Sequence, residues 1–218
     1  MTDIRTPRRN RGLGTARALA LASVAAVGLA VATSGSASAV VDSQNSVVDH
    51  DGNTIAAIIS DTHINFVPPL DGNPLTREFF HNGRAGYKVT GPKADSWSGK
   101  VAIGYQIGYP ATLSGHITVN YQTPQLEVDI VGNTGVPTAD FTNILPTIGG
   151  DLSVGFGPGI VDVPATSGST SGAEGDIALS AFHGTVTGVL GPTNIRPYVT
   201  VTSGAGDSVT TYGPIATN

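Results

Sequence analysis

Two stretches in the middle of the chain alternate apolar and polar residues, which predicts β-strands with one apolar and one polar face. The first covers residues 116–130 and the second covers residues 150–163. Each stretch breaks its phase once, the first at Thr123-Pro124 and the second at Gly157-Pro158-Gly159. Proline and glycine at a phase break suggest a β-bulge or an inversion of the strand face. We therefore predict one long hairpin over residues 112–165.

The same alternation predicts a register for this hairpin, with a tip loop at residues 131–149. In one register apolar residues face apolar residues and the two phase breaks meet. The predicted pairs are Ile130 with Leu152, Val128 with Val154, Leu126 with Phe156, Tyr121 with Val161, and Val119 with Val163. A slip of one residue would put the members of each pair on opposite faces.

The remainder of the chain predicts a β-sandwich over residues 40–111 and 166–218. Short apolar strands there alternate with turn signals such as Gly91-Pro92, Gly108-Tyr109-Pro110 and Gly191-Pro192. Few positions follow the helical period, so the fold class is all-β. A single hairpin is not stable alone in water, so it must pack on this sandwich or join copies of itself.

Residues 1–39 have the features of a secretory signal peptide. A cluster of arginines precedes an apolar run at residues 18–33, and Ala37-Ser38-Ala39 is a small-residue cleavage site. A transmembrane anchor is poorly supported, because the run is short and ends in Ser34-Gly35-Ser36. We therefore predict that the protein is exported. No other segment is long enough for a transmembrane helix, so any membrane insertion must use strands.

Cleavage after Ala39 makes the chain strongly acidic. It removes five of the 11 Lys and Arg residues and one of the 16 Asp and Glu residues, which leaves 6 bases, 15 acids and a net charge of −9. A nucleic-acid-binding protein would show the opposite balance. The chain has no cysteine, so an exported form depends on packing and strand pairing rather than on disulfides.

The sequence offers no convincing catalytic, cofactor or metal site, and we predict that the protein is not an enzyme. The glycine-rich run at residues 155–159 contains Pro158 and precedes no helix, unlike a phosphate-binding loop. Asp49, Asp51 and Asn53 resemble only the start of a calcium loop, so a surface turn is favoured. No nucleophile elbow is present. The histidines lack metal-ligand spacing; they are His50, His63, His81, His116 and His183.

Several runs resemble the mycobacterial-type, MspA-like porin family of mycolic-acid outer membranes. They occur in the family's order and extend over nearly the whole chain after the signal peptide. The runs are residues 74–85, 104–110, 157–160, 171–175, 183–188 and 206–213.

The resemblance implies a goblet-shaped homo-oligomer of eight subunits in the outer membrane of the cell wall, with a sister porin as a possible partner subunit. Each subunit would give one hairpin to a shared transmembrane barrel, below a rim of β-sandwiches. A shared barrel leaves no open strand edge in lipid. The function implied is a water-filled channel for passive diffusion of small hydrophilic solutes and ions, surrounded by mycolic acids.

The family's constriction carries two adjacent acids after a Thr-Pro in the first arm. Asp129 matches the first acid, whereas Ile130 occupies the second position, so part of the pattern is lost. Glu127 lies two residues back, on the same strand face as Asp129. We expect both acids at the constriction, with a preference for cations. Asp151 and Ser153 are further pore-lining candidates. The predicted lipid-facing residues are Leu126, Val128, Ile130, Leu152, Val154 and Phe156.

Two other functions compete with the channel. A secreted, soluble β-sandwich that acts as a binding module or adhesin is the first alternative, but it would have to leave the apolar face of the hairpin exposed. An exported hydrolase is the second, and it lacks a catalytic set.

Overall fold

The computed structural model describes residues 39–122 and 150–218. These residues belong to one compact unit, Ser38–Asn218. The confirmed class is all-β: within the described ranges, the only helical turn is a 3-10 turn at Ala94–Ser96. The strands are β1 (Val41–Val48), β2 (Thr54–Val67), β3 (Thr76–Thr90), β4 (Ser98–Tyr109), β5 (Ala111–Thr112), β6 (His116–Gln122), β7 (Gly150–Ser153), β8 (Gly159–Ser171), β9 (Glu174–Thr187), β10 (Val189–Leu190), β11 (Asn194–Ser203), β12 (Ser208–Tyr212) and β13 (Ala216–Thr217).

Two antiparallel sheets form the sandwich. The first has the strand order β1-β2-β3-β9-β6-β7, and the second has the order β12-β11-β4-β8, with β13 paired to β11. A short pair, β5 with β10, lies beside them. Strand β4 shows why these segments are strands: Val101, Ile103, Tyr105 and Ile107 are buried, whereas Ala102 and Gln106 are only partly buried. One face of each such strand therefore packs against the other sheet.

The core consists of two hydrophobic clusters. The first cluster comes from β2, β3, β4, β9, β11 and β12, together with Trp97. Its buried members are Ile55, Ala57, Ile59, Ala85, Tyr87, Val89, Trp97, Val101, Ile103, Ile177, Leu179, Val199, Val201 and Val209. The second cluster is richer in aromatic rings from the same strands and includes parts of β6 and β8. Its buried members are Phe79, Tyr105, Ile107, Tyr109, Ile117, Val119, Val163, Ala165, Phe182, Val186, Val189 and Ile195.

Bulges interrupt two neighbouring ladders of the first sheet. The pairing of β2 with β3 shifts between Ser60 and His63, and the pairing of β3 with β9 shifts between His81 and Gly83. Two non-glycine residues close to these shifts have positive φ, Asp61 at 54° and Ala181 at 50°. The Asn82 side-chain oxygen accepts a hydrogen bond from the Ala181 backbone at 2.8 Å. Side chains therefore hold the bulged geometry in place.

The predicted hairpin register is wrong where the structure describes both partners. Val119 lies opposite Gly150 on one side and Val186 on the other, whereas Val163 lies opposite Tyr105. Likewise, Tyr121 is opposite Gly184 and Val161 is opposite Ile107. The reason is that alternation shows which face of a strand is buried but not which strand covers it. Residues 161–163 belong to β8, which pairs with β4 in the second sheet.

The other predicted pairs involve residues 126, 128 and 130, which lie outside the described ranges. Their intended partners are nevertheless engaged elsewhere. Leu152 is opposite Ile117, and the Val154 backbone donates a hydrogen bond to the Gly115 carbonyl at 2.8 Å. The second phase break, at Gly157-Pro158-Gly159, coincides with the passage from β7 in the first sheet to β8 in the second. A change of sheet thus explains the change of phase.

The predicted division between sandwich and hairpin stays a prediction, but the described ends of the hairpin segment share the core of the sandwich. Ile117 and Val119 of β6, and Val163 and Ala165 of β8, are buried in the second cluster. These residues fall inside the predicted hairpin, residues 112–165, and yet they form part of the sandwich. The predicted tip loop, residues 131–149, and most of the predicted signal peptide, residues 1–39, lie outside the described ranges.

Candidate functional site

The segment that carries the predicted constriction leaves and rejoins the sandwich at neighbouring strands. Strands β6 and β7 are antiparallel partners, with Thr118 opposite Asp151 and Val119 opposite Gly150. Residues 123–149 therefore start and end at adjacent strand ends of the first sheet. Asp129 and Glu127, the predicted constriction acids, lie outside the described residues, as do Leu126, Val128 and Ile130.

A group of hydrogen bonds ties the two arms together where they meet the sandwich. The Thr112 hydroxyl donates to the Gly155 carbonyl at 2.7 Å and accepts a bond from the Gly115 backbone at 3.0 Å. The Thr112 backbone donates to the Phe156 carbonyl at 3.2 Å. Gly115 and Gly155 have φ of 72° and 81°, which favours glycine at both positions. The approach to β6 and the exit from β7 are thus fixed to each other.

The two described pore-lining candidates lie on β7. Asp151 is opposite Thr118, and Ser153 is exposed and opposite His116. Because this strand is the last one in the described order of the first sheet, Ser153 has access to solvent there. Asp151 and Ser153 therefore lie on the strand that directly follows residues 123–149 in the chain.

The three described lipid-facing candidates differ from one another. Leu152 and Val154 are partly buried and pack against the second cluster, which places them against protein rather than on an open face. Phe156 is 69% exposed. The assignment of these three residues to a lipid face stays a prediction.

A polar cluster that the sequence analysis did not identify lies beside the end of β6. The Glu78 carboxylate is 7% exposed and accepts bonds from His183 Nε2 at 2.8 Å and from the Leu70 backbone at 2.6 Å. His183 is opposite Gln122, the last described residue of β6, and its ring stacks on Phe80. Only the unusual glutamate within the apolar pattern of β3 could have signalled this cluster. Its satisfied bonds fit a structural role.

A second buried pair joins the two sheets. His81 is 2% exposed, and a hydrogen bond of 2.7 Å connects its Nδ1 to the Tyr105 hydroxyl. Its Nε2 is buried without a partner among the described residues. Burial lowers the pKa of His81 to about 4, although Asp42 opposes the shift. His81 is therefore a neutral core residue at neutral pH.

The predicted surface turn at Asp49 is closed by its own side chains. Asp49 accepts bonds from the Asn53 backbone and side chain at 2.8 and 3.0 Å, and the hydrogen bond with the Asn53 side chain is the main cause that lowers the Asp49 pKa. His50 and Asp207 form an ion pair at 2.5 Å. No group of three or more acidic or histidine side chains in the described part of the chain is placed to hold a metal ion.

Among residues 39–122 and 150–218, no helix has the length and apolar character that a membrane crossing requires. The fold instead defines an all-β class of protein, in which two adjacent strands of a sandwich carry a long inserted segment.

The chain belongs to the MspA family, whose family model matches residues 51–216. Two relatives from Mycolicibacterium smegmatis illustrate the similarity. Porin MspD is 44% identical over 177 residues, which cover 79% of this chain and 86% of the relative. Porin MspA is 42% identical over 197 residues, which cover 88% of this chain and 93% of the relative. The family resemblance found in the sequence is therefore confirmed.

Proposed function

We propose that this protein is a porin subunit and that copies of it form a water-filled channel for passive diffusion of small hydrophilic solutes and ions. The observation that carries this proposal is the family match over residues 51–216, together with relatives that are named porins. The same relatives point to a membrane-embedded oligomeric channel rather than to an enzyme.

The fold supports an assembly in which several subunits build one barrel. Strands in lipid must close into a barrel, because an open edge would leave backbone groups unsatisfied. Residues 123–149 are too few to supply all the strands of a closed barrel, because each crossing takes about 9–11 residues. Copies of the subunit therefore have to share one. The proposed assembly is a goblet-shaped octamer in which residues 123–149 and the adjoining ends of β6 and β7 supply the barrel.

The proposed location is the mycolic-acid outer membrane of the cell wall. The signal peptide predicted at residues 1–39 would direct export, and the outer surface of the barrel would contact mycolic acids. The lipid-facing candidates in this proposal are Leu126, Val128, Ile130, Leu152, Val154 and Phe156. A sister porin could replace some subunits of the ring, because related chains share the fold.

The proposed selectivity is a preference for cations. Asp129 and Glu127 would repeat once in each subunit at the constriction, with Asp151 and Ser153 further along the lumen. A ring of carboxylates concentrates cations and repels anions. Salt screens charges beyond about 8–10 Å, so the constriction outweighs the distant charges of the sandwich.

A planar-bilayer recording of the purified protein in a salt gradient tests both the channel and its selectivity. The double variant Asp129→Asn with Glu127→Gln should move the reversal potential toward zero. Asp95→Asn is the control, because it removes a carboxylate from an exposed turn of the sandwich. A double variant with an unaltered reversal potential would place the selectivity filter elsewhere, and an absence of channels would overturn the porin assignment.

Arginine substitutions test the proposed lipid face. Val128→Arg should reduce oligomer assembly, since arginine near the bilayer midplane costs about 2–4 kcal/mol. Ser153→Arg is the comparison, because this exposed residue is assigned to the lumen. Equal yields of heat-resistant oligomer from both variants would contradict the assignment of faces.

A further inference from the structure

The residues just after the predicted cleavage site are bound back onto β2. The backbone nitrogen of Val40 donates a hydrogen bond to Asp61 Oδ1 at 2.8 Å, and the Asp61 backbone donates to the Val40 carbonyl at 2.9 Å. Close by, Asp42 Oδ2 accepts a bond from the Thr62 backbone at 2.7 Å. These reciprocal contacts connect the approach to β1 with the bulge of β2.

Asp61 adopts a conformation that few residues other than glycine take. Its φ is 54°, in the left-handed region, and it lies within the β2 bulge between Ser60 and His63. Aspartate tolerates this region better than most residues, but the conformation is still unfavourable and persists only where the surroundings hold it. In this conformation both the side chain and the backbone of Asp61 form hydrogen bonds with Val40.

Cleavage changes the chemistry of the Val40 nitrogen. Hydrolysis of the Ala39–Val40 peptide bond adds one water, leaves a carboxylate on Ala39 and gives Val40 an α-ammonium group. In the precursor this nitrogen is a neutral amide with one N–H, whereas in the processed chain it carries a positive charge and three N–H donors. The precursor bond joins a neutral N–H to the Asp61 carboxylate, whereas in the processed chain both partners carry charge and attract each other directly.

The carboxylates at this corner have no competing cation among the described residues. The ion pairs among the described residues join His50 to Asp207, Arg84 to Asp176, Lys88 to Glu174, Lys93 to Asp51 and His183 to Glu78. Neither Asp42 nor Asp61 takes part in them. Strand β1 itself is held by its ladder with β2 and by side-chain bonds of Ser43 and Asn45 to β12. The Asp61 contacts hold the residue that precedes it.

We propose that Asp61 is the receptor for the α-ammonium group of Val40, so that removal of the signal peptide itself fixes the residue before β1 to the sandwich. This inference rests on the proposed export and cleavage. It assigns a specific role to Asp61, which neither the family match nor the channel function requires. It also identifies the bulge of β2 as the device that holds the carboxylate in place.

The test uses the processed protein purified from the cell envelope. Mass spectrometry first identifies its N-terminal residue, which should be Val40. An amine-reactive acylating reagent at neutral pH then measures the labelling rate of that α-amine, relative to the exposed Lys100. Asp61→Asn should accelerate labelling by about two- to fivefold, the change in free-base fraction expected when an exposed ion pair is lost.

Two controls isolate the contact. Asp42→Asn removes the same charge from the same corner but not the bond to Val40, so its effect should be smaller. In a processed chain that retains Ala39, the ammonium lies about 3.3–3.6 Å further along the chain, and Asp61→Asn should then have little effect.

Bilayer recordings on each sample confirm assembly independently, so a failed anchor is distinguishable from a failed porin assignment. Equal labelling in wild type and Asp61→Asn, or a first residue other than Val40, would overturn the proposal.

Discussion

The two hydrophobic clusters of the sandwich are both well buried, but they connect different sets of strands. The first cluster joins strands that all lie outside the predicted hairpin, among them β2, β3 and β11. The second cluster contains Ile117 and Val119 from β6, and Val163 and Ala165 from β8. Strands on both sides of residues 123–149 are thus anchored in one cluster and not in the other.

Because of this difference, we expect a defect in the first cluster to affect only the stability of the sandwich, and a defect in the second to affect channel assembly as well. A defect in the first cluster should weaken the sandwich without changing the base of the inserted segment. A defect in the second cluster should also alter the direction in which β6 leaves the sheet. The aromatic contacts of the second cluster, such as Phe79 with Tyr105 and Tyr105 with Phe182, make its shape specific.

The largest effect is expected from removing one isoleucine in each cluster. Ile55 and Ile117 are both 0% exposed, so Ile55→Ala and Ile117→Ala should each reduce the free energy of unfolding by about 2–5 kcal/mol. Only Ile117→Ala should also lower the frequency of channel insertion into bilayers at equal protein stability. Denaturant unfolding and single-channel counting measure the two quantities. Equal insertion frequencies at matched stability would remove the distinction between the clusters.

Acid should weaken the second cluster through His81. The pKa of His81 is lowered to about 4 by burial, below its value of about 6.5 in an unfolded chain. The folded state favours the neutral form of His81. The fold therefore has its full stability above pH 6.5, and part of that stability is lost as the pH falls toward 4. The loss should approach roughly 3 kcal/mol.

Unfolding measured across this pH range in wild type and His81→Gln checks the prediction, because the variant should show a flatter profile. The exposed His116→Gln is the control. A profile that keeps its slope in His81→Gln would assign the acid sensitivity to another group.

Overpacking of the second cluster should have a somewhat smaller effect. A Cβ atom added at Gly184 would lie 2.5 Å from Cζ of Phe79, and Gly184→Ala should therefore destabilise the fold by about 1–3 kcal/mol. Adding Phe79→Leu should recover part of the loss by removing the ring. Gly157→Ala is the control, because its added Cβ meets no atom within 4 Å. Thermal unfolding of the four proteins would refute the explanation if the double variant were the least stable.

The smallest effect is expected from the ion pair between His50 and Asp207. Hydrogen bonding to Asp207 raises the pKa of His50, and the same contact lowers the pKa of Asp207. The pair contributes only while both groups are charged, so its contribution is lost as pH rises through the His50 pKa or falls through the Asp207 pKa. Asp207→Asn should lower the melting temperature slightly within this window and not above it. A larger change at high pH would show that the hydrogen bond to Ser203, rather than charge, carries the effect.

The candidate site could be predicted from the sequence only in part. The resemblance that identified the family rests on local runs, such as residues 74–85, which need no knowledge of the fold. The assignment of Leu152 and Val154 to lipid rests on their alternation with polar residues and stays a prediction, whereas the pairing of Leu152 with Ile117 was not foreseen. The pairs Glu78 with His183 and His81 with Tyr105 could not be foreseen, because each joins residues far apart in the chain.

The all-β class, the strand segments with one apolar face and the membership in a porin family could all be predicted from the amino-acid sequence. Alternation, turn residues and family motifs are local properties of the chain and need no knowledge of the fold. The folded arrangement of the sheets was needed to find that Val161 and Val163 pair with β4, and that Val119 lies between Gly150 and Val186. The physical reason is that an apolar strand face gains the same burial from many possible neighbours, and the packing of the whole sandwich selects among them.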